Sequence, residues 1–248
     1  MTSDHVRTNR DYWNSVARHW VEIGERQWNS PPNWGFWGET DESLNLLPAD
    51  MTGMKAIELG CGTAYVSGWM TRRGARVTAI DISAEQLATA RRLAKQHGAE
   101  IAFIEASAES VPLEASLFDF AVSEYGAAIW CDPDLWIPEA VRLLRPGGTL
   151  AFIGNHPMVW VATPSDGRPC EAHFHRPYRG LNCTDWTYAE FDPGGIEFNR
   201  TMEDWLLLFR KTGLLVLDYR ELYAPDDAEG VAFSVPAEWA RNWPVAQV

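Results

Sequence analysis

Nothing in this chain of 248 residues approaches the ~18 to 20 consecutive apolar residues that a membrane-spanning helix requires. The opening "MTSDHVRTNRDYW" has no apolar core of the kind a secretion signal carries, so a cytoplasmic protein is expected. Basic residues are scarce: 21 Lys and Arg stand against 34 Asp and Glu, a formal charge of −13 whose field repels a nucleic-acid backbone. The pairs Arg72-Arg73 and Arg91-Arg92 lie on amphipathic helical patterns and read as solvated faces, so neither nucleic acid nor membrane is expected as a partner. The four cysteines, Cys61, Cys131, Cys170 and Cys183, include no C-x-x-C pair, which argues against a redox motif or a zinc ribbon. Disulfides are not expected in a reducing compartment. Cys170, His173, His175 and Cys183 offer four donors, but at spacings that match no standard zinc site, and no metal is expected. Internal repeats and low-complexity tracts are also missing.

What is present is an ordinary globular composition, 46% apolar and 22% charged, arranged as an alternation of short apolar runs and longer helical patterns. The runs at 55–59, 76–80, 101–105, 118–123, 149–154 and 214–221 read as strands. Between them, 66–73, 84–97 and 133–144 repeat apolar residues near a 3.6 period, with Gly74, Gly98 and Gly147 as stops. This is the signature of a parallel sheet covered on both faces, an α/β fold. Residues 8–24 read as a further helix, followed by a loop in "RQWNSPPNWGFWGE". The rhythm breaks from Asn155 to about Asn199, a stretch rich in Pro, Gly, His and aromatics that reads as an insertion or cap.

The stretch "AIELGCGTAY" runs from a strand through a glycine turn into a helix start. Two glycines one residue apart let backbone amides approach a ligand, and the helix offers unpaired N–H groups. Tyr65 stands where the dinucleotide fingerprint has its third glycine, which weakens NAD or FAD as the guest. The second strand ends in Asp81, about twenty residues on, where a carboxylate can accept from both hydroxyls of a ribose. Helix capping, the alternative duty for Asp81, suits Ser83 better. The expected ligand contains adenosine.

Glu58-Leu59-Gly60-Cys61-Gly62-Thr63, Asp81-Ile82-Ser83, "EASAESVPLEASLFDFAVSEYGA" and "LLRPGGTLAF" together, and in this order, resemble the class I S-adenosylmethionine-dependent methyltransferases. The resemblance covers residues 8 to 154 well and the remainder loosely. It implies a Rossmann-like, mostly parallel seven-stranded sheet with helices on both faces. It divides a single methyltransferase domain into an N-terminal helical lid (1–50), a cofactor-binding core (51–154), a substrate-side insertion after the fifth strand (155–200) and the C-terminal part of the sheet (201–248). By that resemblance Gly60, Cys61 and Gly62 line the methionine part of S-adenosylmethionine and Glu58 fixes their turn. Asp81 takes the ribose, Ile82 packs on the adenine, and Gln86 joins this set. Ser107, Ala108 and Glu109 meet the adenine edge, with Ser107 replacing the family's usual Asp, and Ser123 turns its carbonyl to the cofactor's amino group. "DYWNSVARHW" resembles the lid opening of small-molecule members and brings Tyr12 and Trp20 over the cofactor, although its aromatic spacing equally suits plain packing.

"SEYGAAIW" lacks the Asn/Asp-Pro-Pro-Tyr sequence of enzymes that methylate base or amide nitrogens, and it leaves Glu124, Tyr125 and Trp130 at the mouth of the crevice. Core packing is the alternative for Tyr125 and Trp130. Trp37 and Trp160 are expected as further aromatic walls. His156, directly after the fifth strand, is the expected general base, with Glu124 and Tyr125 in reserve. The implied activity is methyl transfer to a small aromatic or amine-bearing acceptor at N, C or O. A catalytically silent adenosyl-binding module and an NAD-dependent oxidoreductase are the alternatives.

Overall fold

The computed structural model describes residues 4–248. Its main sheet contains β1 (Lys55–Leu59), β2 (Arg76–Asp81), β3 (Ile101–Glu105), β4 (Phe118–Glu124), β5 (Leu144–Asn155), β6 (Glu221–Leu222) and β7 (Ala246–Gln247). The spatial order is β3-β2-β1-β4-β5-β7-β6. The first five strands pair in parallel, while β7 runs antiparallel to both β5 and β6. The chain moves outward from β1 to β3 and then returns to lay β4 against β1. The carboxyl ends of β1 and β4 therefore open a crevice where connections leave in opposite directions.

The apolar runs form central strands because both faces of the sheet are covered. Ala56, Phe120 and Val122 point to one layer, where Val66, Trp69 and Met70 of α3 (Tyr65–Arg72) meet them. Ile57, Leu59 and Ala121 alternate to the other, against Trp136, Ile137, Ala140 and Leu143 of α5 (Pro133–Leu143) and Trp205 and Leu208 of α7 (Met202–Thr212). Each large apolar side chain so buried contributes roughly 1.5–3 kcal/mol. Ala79 of β2 packs with Leu87, Ala90 and Leu93 of α4 (Ala84–Gln96). The helix starts follow local chemistry: Ser83 Oγ accepts from Gln86 N at 3.1 Å, and Asp132 accepts from Asp134 N at 2.9 Å just before Pro133.

Several boundaries differ from the sequence reading. The lid is two helices, α1 (Asp4–Val16) and α2 (Val21–Asn29), joined by a 3₁₀ turn at Ala17–Trp20. Helix thus continues into the expected loop, because Trp28 is buried on Gly68 and donates its indole N–H to the Thr63 carbonyl at 2.8 Å. Strand β5 starts at Leu144, and Gly147, expected as a helix stop, lies inside it at φ 81°. The expected strand at 214–221 contracts to Glu221–Leu222, because its partner β7 pairs with only that much of it. Leu215 and Leu217 before it are 84% and 80% exposed. The insertion holds α6 (Pro157–Ala162) and a hairpin of Cys183–Asp185 with Ile196–Phe198. No described helix is long and apolar enough to cross a membrane.

Candidate active site

The glycine turn hangs on the neighbouring strand: Gly60 N and Cys61 N both donate to the Ile80 carbonyl, at 3.0 and 2.8 Å. Gly60 and Gly62 are left-handed, at φ 78° and 51°. A Cβ on Gly60 would stand 2.7 Å from the Ala127 amide nitrogen and 2.8 Å from Gly126 Cα. The freedom at Gly60 therefore admits the segment after β4, and the two turns interlock backbone to backbone. A Cβ on Gly62 would meet nothing within 4 Å, so Gly62 faces the open side. Asp81 spans the turn, its two oxygens accepting from Gly62 N and Ser83 N, each at 2.8 Å. Burial pushes its carboxyl up, against the pull of those amides. Glu58 points the other way and accepts from Ser67 N at 2.8 Å and Ser67 Oγ at 2.5 Å, satisfying a donor in the first turn of α3. Burial pushes Glu58 up to about 8.

The other expected cofactor residues of the core lie at or just beyond the carboxyl ends of β2, β3 and β4. Gln86 is 2% exposed and its Oε1 has no hydrogen-bond partner. Ser107 Oγ accepts from Glu109 N at 3.2 Å, bracing the loop that carries the buried Ala108. Ser123 Oγ donates to the Leu59 carbonyl at 2.8 Å and accepts from Ala128 N at 3.2 Å, tying β4 to β1. Cys61 is buried, its thiol pushed up by desolvation, and Ile82 is half-buried beside Asp81. The lid is fastened over this edge by three polar residues that sequence reading passed over or left unassigned. His5 Nε2 lies 2.6 Å from Glu109, and Asn14 Oδ1 accepts from Ser83 Oγ at 2.8 Å. The fully buried Asn9 donates to the carbonyls of Trp130 and Ile196 at 2.9 and 2.8 Å and accepts from Ile196 N at 2.7 Å.

At the end of β4, the Tyr65 hydroxyl donates to Glu124, whose carboxyl burial pushes up to about 7. Tyr125 is left-handed at φ 50°, a strained setting for a bulky residue, and its buried hydroxyl has no partner. Its ring stacks on Phe36 at 5.2 Å; Phe36 meets Phe233 at 5.1 Å, and Phe233 stacks on Trp20 at 5.9 Å. Trp37 extends this run from Phe36. A second aromatic group joins Tyr12, Trp13 and Trp130. Trp160 is buried on α6 beside Val161 and Leu181.

His156, the expected general base, has protein partners on both ring nitrogens. Its Nδ1 accepts from Met158 N at 3.1 Å and caps α6, and its Nε2 lies 3.3 Å from Glu221. Burial lowers its pKa against the pull of Glu221. Among the described residues no group of three or more His, Cys, Asp or Glu is arranged to hold a metal ion. His173 and His175 touch ring to edge at 5.0 Å, and Cys170 is buried whereas Cys183 is exposed. Tyr65, Phe36 and Phe233 join Glu124 and Tyr125 in one cluster, and sequence reading did not select them. The adjacency of Tyr65 to the glycine turn was a usable signal; the other two carried none.

A doubly wound sheet with a glycine turn at its switch point is a Rossmann-like plan, which dinucleotide-binding domains and methyltransferases share. Residues 57–152 match the family described as a methyltransferase domain. An S-adenosylmethionine-dependent methyltransferase from Mesorhizobium loti aligns over 82% of this chain and 92% of its own, with a TM-score of 0.63 at 23% identity, a likeness of fold. The malonyl-[acyl-carrier protein] O-methyltransferase of Pectobacterium atrosepticum is 40% identical over 113 residues, 44% of this chain and 41% of that protein. The 2-methyl-6-phytyl-1,4-hydroquinone methyltransferase 1 of Oryza sativa subsp. japonica is 34% identical over 135 residues, 52% and 40% of the two chains. The chain thus spans about two fifths of the length of the curated relatives it matches. The match places a methyltransferase domain over the sheet core, residues 57–152, and the Mesorhizobium loti neighbour of like fold is described as S-adenosylmethionine-dependent.

Proposed function

We propose that this chain transfers a methyl group from S-adenosylmethionine to a small aromatic or amine-bearing acceptor. The carrying observation is the turn after β1, where Gly62 faces open space and donates its N–H to Asp81 at the end of β2. Each Asp81 oxygen accepts one amide and keeps a lone pair for a ribose hydroxyl, and Gln86 Oε1, in the first turn of α4, has no partner among the described residues. Bound there, the cofactor supplies an electrophilic methyl group on a sulfonium.

The protein's part is mainly positional, since holding nucleophile and methyl about 3–3.5 Å apart and in line removes much of the entropic barrier. Interlocked Gly60 and Gly126 set the distance between the cofactor turn and the segment bearing Glu124 and Tyr125. Glu124, held by Tyr65 and pushed up to about 7, can receive a proton from an acceptor near neutral pH. The rings of Tyr12, Trp20, Trp37 and Trp130 would exclude water and give a planar acceptor its walls.

Calorimetric titration with S-adenosylhomocysteine and with NADH tests the cofactor, and methyl turnover on a panel of small acceptors tests the reaction. Asp81→Ala is expected to weaken S-adenosylhomocysteine binding by about a hundredfold to ten-thousandfold, from the loss of two charge-assisted hydrogen bonds of ~1.5–3 kcal/mol each. Tight NADH binding would mean an oxidoreductase, and homocysteine-form binding without turnover on any acceptor would mean a silent binding module.

A further inference from the structure

The insertion hairpin carries a carboxylate that the reaction outlined above does not use. Glu197 lies in the strand Ile196–Phe198, which Asn9 fastens to α1 and to the carbonyl of Trp130 at the carboxyl edge of the sheet. Gly195 makes this approach possible, since a Cβ there would stand 3.1 Å from the Trp130 ring and overlap the Asn9 side chain. Trp186 Nε1 donates to Glu197 Oε2 at 3.2 Å, and the buried Trp160 indole lies near enough to hold the carboxyl down without making a hydrogen bond of its own. Tyr12, one helical turn beyond Asn9, feels the charges of Glu197 and Asp192.

Among the described residues no cation pairs with Glu197. Arg176 is the nearest basic influence, but its guanidinium stacks on Trp186 at 4.9 Å and donates to the Thr163 carbonyl at 2.8 Å and to Thr184 Oγ1 at 3.3 Å. Desolvation pushes the Glu197 carboxyl up to about 7, the mark of an acid in a poor solvent with too little compensation. A carboxylate bonded to one indole and close to a second, in a chain of net charge −13, suits an ammonium group, which gains from the carboxylate and from the ring faces together.

We propose that Glu197, with Trp186 and Trp160 beside it, binds the ammonium group of the acceptor, so that the substrates are aromatic amines carrying a positive charge. This rests on the methyl-transfer reading and adds to it a substrate class and a specificity residue. A purely structural Glu197 would serve equally well as glutamine, whose carbonyl keeps the Trp186 hydrogen bond; an ammonium anchor would not.

The test uses the full chain saturated with S-adenosylhomocysteine and two isosteric pairs, tryptamine with 3-propylindole and tyramine with 4-propylphenol, each titrated calorimetrically at pH 7.5. The wild-type protein is expected to bind each amine at least tenfold more tightly than its propyl partner. Glu197→Gln should bring that ratio close to one, and Glu197→Asp should keep part of it, with S-adenosylhomocysteine affinity unchanged in both. Equal affinity for amine and propyl compounds, a preference that survives Glu197→Gln, or no binding of either amine at millimolar concentration overturns the proposal. Failure of the wild type to bind S-adenosylhomocysteine would instead overturn the underlying methyl-transfer reading.

Discussion

Substituting the two glycines of the turn after β1 separates a backbone that faces ligand from one that faces protein. Gly62 is left-handed at φ 51° with nothing within 4 Å of a would-be Cβ. Gly62→Val then costs only the conformational strain, about 1–2 kcal/mol and somewhat more for a branched residue. In a domain of this size 1 kcal/mol corresponds to ~2–4 °C, so the melting temperature should fall by about 2–8 °C and the protein should remain folded. The branched side chain would fill the space the cofactor needs, and S-adenosylhomocysteine affinity should fall at least a hundredfold, about 2.7 kcal/mol. Gly60→Ala meets the same strain, at φ 78°, and in addition drives its methyl to 2.7 Å from the Ala127 nitrogen. Overpacking of that kind adds about 1–3 kcal/mol, for a total of roughly 2–5 kcal/mol and a fall of about 4–20 °C. Thermal melts and calorimetry on the two variants, with Cys61→Ser as a nearly silent control, check the contrast. A folded Gly62→Val that binds S-adenosylhomocysteine within threefold of wild type refutes the assignment of this turn to the cofactor.

Two further outcomes follow from the same geometry. His156→Ala removes the cap of α6 and its contact with Glu221, so it should destabilise by about 1 kcal/mol in a denaturant titration; turnover of the folded protein should stay within a few-fold, whereas a loss of a hundredfold or more would restore His156 as the base. Glu58 and Glu124 are pushed from an ordinary 4.5 up to about 8 and about 7, so the folded state holds protons that the unfolded state releases. Their stabilising contribution is complete below 4.5 and is lost as pH rises through 7 to 8, so the melting temperature of the ligand-free protein should fall between pH 5 and 8.5. Glu58→Gln should flatten that slope, and a melting temperature that rises over the same interval would contradict the burial of these acids.

Legibility tracked the range of the interactions involved. The parallel strands β1 to β4 and the helices α3 to α5 were readable to within a residue or two, because continuous apolar runs, 3.6-residue periods and residues such as Ser83 act over a few positions. The turn at Gly60–Gly62 and Asp81 were readable for the same reason. Strand β7 was not: two residues, Ala246–Gln247, carry no periodicity, and only their insertion between β5 and β6 makes them a strand.

Sequence alone therefore determined the doubly wound α/β plan, the glycine turn and the acid at the end of the second strand, since each rests on local sterics and on which residues can be buried along one run. Tertiary structure decided what those residues touch. Gly60 proved to make room for Gly126 across the crevice, Asn9 joins segments separated by more than a hundred positions, and His156 spends both nitrogens on its own surroundings. It also decided that Glu197 would lie beside Trp186 with no ion-pair partner among the described residues. Such pairings depend on where distant segments meet once the sheet has closed its core, and no spacing within the chain encodes that meeting.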